Sequence, residues 1–354
     1  MILSSFRYST ASWELTEMGA LKQANLIVGK NASGKTRTIN ALNSVTSFLQ
    51  MKPKNFLFDN EFRAELSFTD PDNEAWKMTY TFEITESGVN YEELSVNGET
   101  IVKRDHDSSI IKGQSINPPT DKLVVQVRRD RDAYPEIEDL MEWAEGVVAI
   151  SCSNLNPFTL FPASVINPMP LSELVDSLGS DDKEKVIEQA QTLGYDIKSI
   201  NILQPGGDLK LVVIEENDIN SPILDFQLSS GMLRVLYMLF FLANMHREKK
   251  YSMILVDDLG EGLDYKRATL LGKIIFDSCR TNKVQLIASS NDSFLMDVVD
   301  LSMWQILRRN KSRVSTINNT NTPELFDEFS MTGLSNFDLF SSDFIDNFLC
   351  SRNK

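Results

Sequence analysis

The sequence is poor in the residues that build metal centres and covalent frameworks. Among 354 residues there are two histidines, His106 and His246, and three cysteines, Cys152, Cys279 and Cys350. So few histidines exclude a histidine-rich metal centre and argue against a Ser-His-Asp hydrolase. The cysteines are odd in number and far apart, so they make neither a disulfide framework nor a zinc spacing. No apolar run approaches the ~18 residues of a membrane span. Residues 1–7 lack the basic region and apolar core of a signal peptide. Together these absences predict a cytoplasmic chain with no membrane partner. Positive charge is also short: 35 Lys and Arg stand against 50 Asp and Glu, a formal net charge of −15. That argues against binding nucleic acid over the whole surface, since phosphate contacts drive such binding. Two clusters, Arg128-Arg129-Arg131 and Arg308-Arg309-Lys311-Arg313, keep a local DNA-binding groove open against the plainer reading of solvated surface.

What is present is an ordinary globular composition, 42% hydrophobic and 24% charged, enough for one large or two modest domains. Residues 29–36 read Gly29-Lys30-Asn31-Ala32-Ser33-Gly34-Lys35-Thr36, the phosphate-binding pattern G-x-x-x-x-G-K-[ST]. An apolar run of strand type, Ala24-Asn25-Leu26-Ile27-Val28, precedes it, and a run of helical spacing comes after it. The motif therefore sits where its mechanism needs it, between strand and helix. The two glycines let backbone N–H groups turn inward around phosphate, and the helix N-terminus adds favourable partial charge. In this reading Lys35 reaches the β- and γ-phosphates, and the Thr36 hydroxyl is a ligand of Mg²⁺.

Two further motifs lie far down the chain. Residues 251–264 form an apolar strand ending in paired acids, Asp257 and Asp258, with Glu261, Gly262, Leu263 and Asp264 just beyond. This is the Walker B pattern: Asp257 holds the Mg²⁺ shell and Asp258 stands where the attacking water is positioned, with Glu261 nearby to assist. The alternative reading of these acids is a solvated turn after a core strand. Upstream, Leu228-Ser229-Ser230-Gly231-Met232 opens a strongly apolar helix. Alone it reads as an ordinary serine-capped helix; its place ahead of the paired acids lends it weight.

In this order the motifs resemble the ABC-type ATPases of the RecF, SMC and OLD group: phosphate loop, lid insertion, signature at 228–232, Walker B, D-loop at Gly262-Leu263-Asp264, and a switch strand at 283–292. The resemblance covers roughly residues 1–50 and 220–310. It implies an α/β head, a P-loop NTPase fold of ABC type with a central mostly parallel sheet, an antiparallel β lobe and a small helical lid. It implies ATP and Mg²⁺ as cofactors, and two ATP molecules held between two heads. Ser229, Ser230 and Gly231 of one head, with Asp264, would then contact the nucleotide of the other. Two departures stand out. Asp258 replaces the usual Glu, and Ser290-Asn291-Asp292 replaces the usual switch histidine, so Asn291 contributes a hydrogen bond without charge. Both put fast turnover in doubt.

Three domain segments are expected: residues 1–134 carry the phosphate loop and an antiparallel lobe, 135–210 form a helical lid, and 211–354 complete the head. Alternating runs at 62–68, 76–84 and 91–96, with Asn97-Gly98 as a hairpin turn, read as antiparallel strands. Residues 104–122 read as loop, 123–127 as a strand, and 173–178 and 182–193 as helices. The insertion has no sustained heptad repeat, so a long-armed DNA tether is not indicated. The aromatic and acidic tail, 323–349, reads as terminal helices packed on the core, or else as a docking segment. The stretch after the switch strand is too short for the nuclease domain of OLD proteins, so a nuclease would be a separate polypeptide.

Three functions are weighed. The first is an ATPase that forms a homodimer or higher homo-oligomer on ATP and controls a separate effector, resembling subunits of bacterial anti-phage systems. The second is a RecF-like DNA repair ATPase. The third is a nucleotide-binding regulator with negligible turnover.

Overall fold

The computed structural model describes residues 1–52, 60–105, 108–155 and 169–352; His106 lies outside them. In chain order the first half contains β1 (Ile2–Ser9), β2 (Glu14–Met18), β3 (Ala24–Val28), α1 (Lys35–Leu49), β4 (Phe62–Asp70), β5 (Asn73–Thr85), β6 (Gly88–Val96), β7 (Glu99–Arg104), β8 (Ser109–Ile111), β9 (Gln114–Ser115), α2 (Val124–Val127), α3 (Pro135–Glu145) and β10 (Val147–Ser151). The second half contains α4 (Leu171–Asp176), α5 (Ser180–Thr192), β11 (Ile197–Gly206), β12 (Leu209–Glu216), β13 (Ile223–Leu224), α6 (Ser230–Glu248), β14 (Met253–Asp257), α7 (Tyr265–Thr281), β15 (Gln285–Ser289), α8 (Ser293–Val298), β16 (Trp304–Asn310), β17 (Arg313–Ile317), α9 (Pro323–Ser330), α10 (Asn336–Ser341) and α11 (Phe344–Arg352).

One 14-stranded sheet runs in the order β10-β14-β15-β3-β16-β17-β2-β1-β4-β5-β6-β7-β8-β9. Strands β10, β14, β15, β3 and β16 are mutually parallel. Their short apolar runs are buried on both faces, as parallel strands covered by helices must be. Alternate residues supply two cores. Leu26, Val256 and Leu286 join one face with α6, the lid and the tail, while Ile27, Leu255 and Ile287 join the other with α1, α3 and the antiparallel lobe. From β1 through β9 the pairing within the lobe is antiparallel, as the period-two alternation requires. A separate three-stranded sheet, β11-β12-β13, belongs to the insertion. Among the described residues no helix is long and apolar enough to cross a membrane.

Several local expectations change. Residues 123–127 are helical rather than extended: α2 begins at Val124 because the buried Glu92 carboxylate accepts the N–H groups of Val124 and Val125, at 2.6 and 3.1 Å. The segment 104–122, expected as loop, contains the short hairpin β8–β9. The segment 135–210, expected as a helical lid, opens with α3 and with β10, which pairs in register with β14 in the central sheet, and ends past β11 on the first residues of β12. The helices expected at 173–178 and 182–193 are α4 and α5. The tail packs on the core, burying Leu325, Phe326, Phe329 and Leu339.

Candidate functional site

Five parallel strands end on one side of the sheet, and the turns after β3, β14 and β15 meet there. This is the crevice where open α/β sheets bind ligands. The turn after β3 is residues 29–34. Gly29 has no space for a side chain: a Cβ there would lie 2.4 Å from Ser33 Oγ and 3.1 Å from the Leu307 carbonyl. Gly34 has φ +108° and turns the chain into α1. Ser33 Oγ is buried without a hydrogen-bond partner, an orphaned donor inside the loop.

Lys35, the first residue of α1, is 6% exposed. Its ammonium donates to the Gly29 carbonyl at 2.6 Å. Burial lowers its pKa, and the charges of Asp258 and Asp257 oppose that shift. Thr36 Oγ1 donates to Asp257 Oδ1 at 3.2 Å. The structure thus brings the phosphate loop and the first paired acid together, although they lie far apart in sequence.

Ser289, the last residue of β15, was not singled out by its sequence. It is fully buried. Its hydroxyl donates to Asp257 Oδ1 at 2.6 Å and accepts the Asp258 N–H at 3.0 Å. One serine thereby fixes both acids. Asp258 sits at φ +58°, a left-handed conformation that Asp tolerates better than most residues. Its carboxyl is pushed up to about 6, chiefly by burial, then by the charges of Asp257 and Glu261. Glu261 and Asn291 are exposed on the turns after β14 and β15. Ser290, beside Asn291, is buried and donates to the Leu259 carbonyl at 2.7 Å.

Ser229 caps α6, accepting the Met232 N–H at 3.2 Å. Gly231 packs against the turn at 262–264: a Cβ there would lie 3.3 Å from Leu263 and 3.5 Å from the Gly262 carbonyl. Arg234, also missed in the sequence, joins the two loops; it donates to the Glu261 carbonyl and, at 2.8 Å, to that of Cys152. Asp264 caps α7 through the Arg267 N–H and pairs with the Arg267 guanidinium at 2.6 Å. Among the described residues no hydrogen bond joins the 228–232 turn to the 29–36 loop of the same chain.

Comparison with known proteins agrees with this layout. Solved structures that superpose on the chain include head domains of SMC proteins. One is an SMC head bound to the C-terminal winged-helix domain of ScpA, with 11% identity, TM-score 0.53, and coverage of 90% of this chain and 98% of that one. Another is the SMC head with an extended coiled coil from Pyrococcus furiosus, bound to the C-terminal domain of ScpA, with 10% identity, TM-score 0.52, and coverage of 93% and 99%.

The fold is that of an SMC head domain.

Residues 159–297 of this SMC-head fold also match the family model described as "AAA domain, putative AbiEii toxin, Type IV TA system". That stretch holds the 228–232 turn, the paired acids and β15, but not residues 29–36. No curated protein matches the chain in sequence.

The residues present fit a nucleotide and its cation. The cradle at Gly29 excludes any side chain, the Ser33 hydroxyl is unpaired, and a hydroxyl and a carboxylate stand side by side at Thr36 and Asp257, the oxygen donors Mg²⁺ takes. The arginine clusters are largely committed elsewhere. Arg129 pairs with Glu138 and Glu145, Arg131 with Asp139 and Glu142, Arg313 with Glu14, and Arg308 with Asp346.

Proposed function

We propose that this protein binds ATP with Mg²⁺ at the 29–36 loop and closes two heads around the nucleotide, and that this closure controls a separate effector, in the manner of anti-phage ATPases. One observation carries the reading: Thr36, Asp257, Asp258 and Ser289 converge from the ends of three parallel strands in a hydrogen-bonded cluster, and the buried Lys35, bonded to the Gly29 carbonyl, precedes Thr36. Lys35 and the inward N–H groups of the loop hold the phosphates. Thr36 and Asp257 hold the cation, which stabilises charge on the transferring phosphoryl group. Asp258 orients the attacking water and accepts its proton. Ser229 and Gly231 stand at the start of α6, with no hydrogen bond to their own phosphate loop, and serve the nucleotide of a second copy; Asp264 belongs to the same surface. The family model's link to toxin systems supports the effector role.

A regulator with slow turnover is the second reading, and the state of Asp258 favours it. Its side chain is one methylene shorter than that of glutamate and stands on a left-handed backbone, so it reaches less far toward a water. Asn291 adds no charge. DNA repair draws less support, because four of the clustered arginines, Arg129, Arg131, Arg308 and Arg313, are paired with acids.

The test is the mass of the purified protein with ATP and Mg²⁺, compared with nucleotide-free, Lys35→Ala and Ser229→Arg samples. ATP-dependent doubling in the wild type alone is expected, with Ser229→Arg still binding ATP as a monomer. Loss of monomeric binding in Ser229→Arg contradicts the assignment of that serine to the partner's nucleotide.

A further inference from the structure

Beside the phosphate loop lies a cleft of about 560 Å³ between residues 29–33, the end of β16 and the last two helices. In a chain of net charge −15 its wall is cationic: Lys30, Arg308, Arg309 and Lys311 line it, against one carboxylate, Asp346. That carboxylate comes from α11. Asp346 Oδ1 accepts from Arg308 at 2.7 Å, and Oδ2 lies 3.5 Å from the ammonium of Lys30, the second residue of the phosphate loop. Arg309 reinforces the same wall by donating to the Ala32 carbonyl at 3.2 Å.

The tail has a second foot. Asn336 donates to the Val299 carbonyl at 3.0 Å, and the Phe337 N–H donates to Asp297 Oδ1 at 2.7 Å. Both acceptors lie on or just after α8, the helix that starts directly after Asn291 and is capped by Asp292. The tail therefore spans from the phosphate loop to the helix beyond the switch position. The two feet differ in strength. The α10 foot is seated on the buried Leu339, whereas Asp346, Lys30 and Arg308 keep 45%, 71% and 40% of their side chains exposed. Ion pairs that open to water contribute little.

We propose that α9–α11 form a strap that senses nucleotide: with the phosphate loop empty, Asp346 holds α11 against Lys30 and Arg308, and a bound triphosphate releases it. The inference rests on the nucleotide reading above and adds its regulation. Coulomb's law sets the sign. Asp346 neutralises Lys30 on the loop and Arg308 on β16 beside it, and lowers the positive potential there, so it weakens binding of an anion. By reciprocity the anion weakens the hold on Asp346 by the same factor. The release exposes the apolar face of α11, Ile345 and Phe348, which the seated strap keeps covered.

The test uses the full chain and a non-hydrolysable ATP analogue with Mg²⁺, reading affinity by titration and hydrogen exchange over residues 344–352. In the wild type, the analogue raises exchange in that segment; in Lys35→Ala it does not. Asp346→Asn, nearly isosteric and on the surface, shows the raised exchange without nucleotide and binds the analogue roughly three- to tenfold more tightly, the range two exposed ion pairs supply. Arg308→Gln loosens the segment in the same way. If the wild type binds the analogue with exchange at 344–352 unchanged, or if Asp346→Asn leaves affinity unchanged, the strap is refuted while the nucleotide reading stands. If the wild type does not bind the analogue at all, both fail.

Discussion

The Ser289 hydroxyl is the joint of the site, and Ser289→Ala removes it with little change of volume. Two buried hydrogen bonds go. The bond to Asp257, at 2.6 Å, is charge-assisted, and its loss leaves the Asp258 N–H without its acceptor. Together these cost about 2–4 kcal/mol of stability. Asp257 keeps only the Thr36 hydroxyl at 3.2 Å, so the carboxylate is free to turn away from the cation position. Removing a partner that orients a metal ligand lowers metal affinity by roughly 10- to 100-fold. The assay is titration of a fluorescent ATP analogue with Mg²⁺ and with EDTA, beside a thermal melt. The expected result is a melting point several degrees lower, unchanged affinity in EDTA, and at least a tenfold loss of the Mg²⁺-dependent gain. A lower melting point with the wild-type Mg²⁺ gain intact would refute the reasoning, because Ser289 would then be structural only.

Other residues give further outcomes. Asp258→Asn keeps a residue that tolerates φ +58° and removes the base; phosphate release should fall by at least about a hundredfold, while the affinity for ATP measured by titration holds or tightens. Glu92 tests the lobe. Burial pushes its carboxyl up to about 7, against the N–H groups of Val124 and Val125, the Tyr80 hydroxyl and the charge of Arg104. The folded state thus holds this proton more tightly than the unfolded chain. Its contribution is fully present below the ordinary value of 4.5 and is lost as pH rises through about 7, by up to roughly 3 kcal/mol. Denaturant melts at pH 5 to 8 should show Glu92→Gln with a flatter profile than wild type over that window; parallel profiles would contradict it. Gly29→Ala places a methyl group against Ser33 Oγ and the Leu307 carbonyl, so nucleotide titration should show binding lost or weakened more than tenfold.

The turns at 29–34 and 258–264 were legible because each is a contiguous run between a strand and a helix, β3 and α1 for the first and β14 and α7 for the second. Ser289 was not, since a serine closing an apolar strand carries no signal until its strand lies beside Asp257. Arg234 acts across the gap between α6 and the turn after β14, which no spacing reports. Residues Val124, Val125 and Val127 favour a strand by propensity, and one buried carboxylate overrode that preference by taking the N–H groups that open α2. The strand β10 is five residues, four of them apolar; its hydrophobic run cannot be told from a helical segment without its neighbour β14. The arginine clusters looked free because their partners, such as Glu145 for Arg129, lie a full element away.

The cysteines, too few to build anything, acquire a use from where they lie. Cys152 and Cys279 are buried, with thiols pushed up to about 12 by burial, whereas Cys350 is exposed on α11. A maleimide dye therefore attaches to the native chain at one place, one helical turn from Asp346. The wild-type protein carries its own single-site optical reporter on the element whose movement is in question, and no cysteine has to be removed to use it.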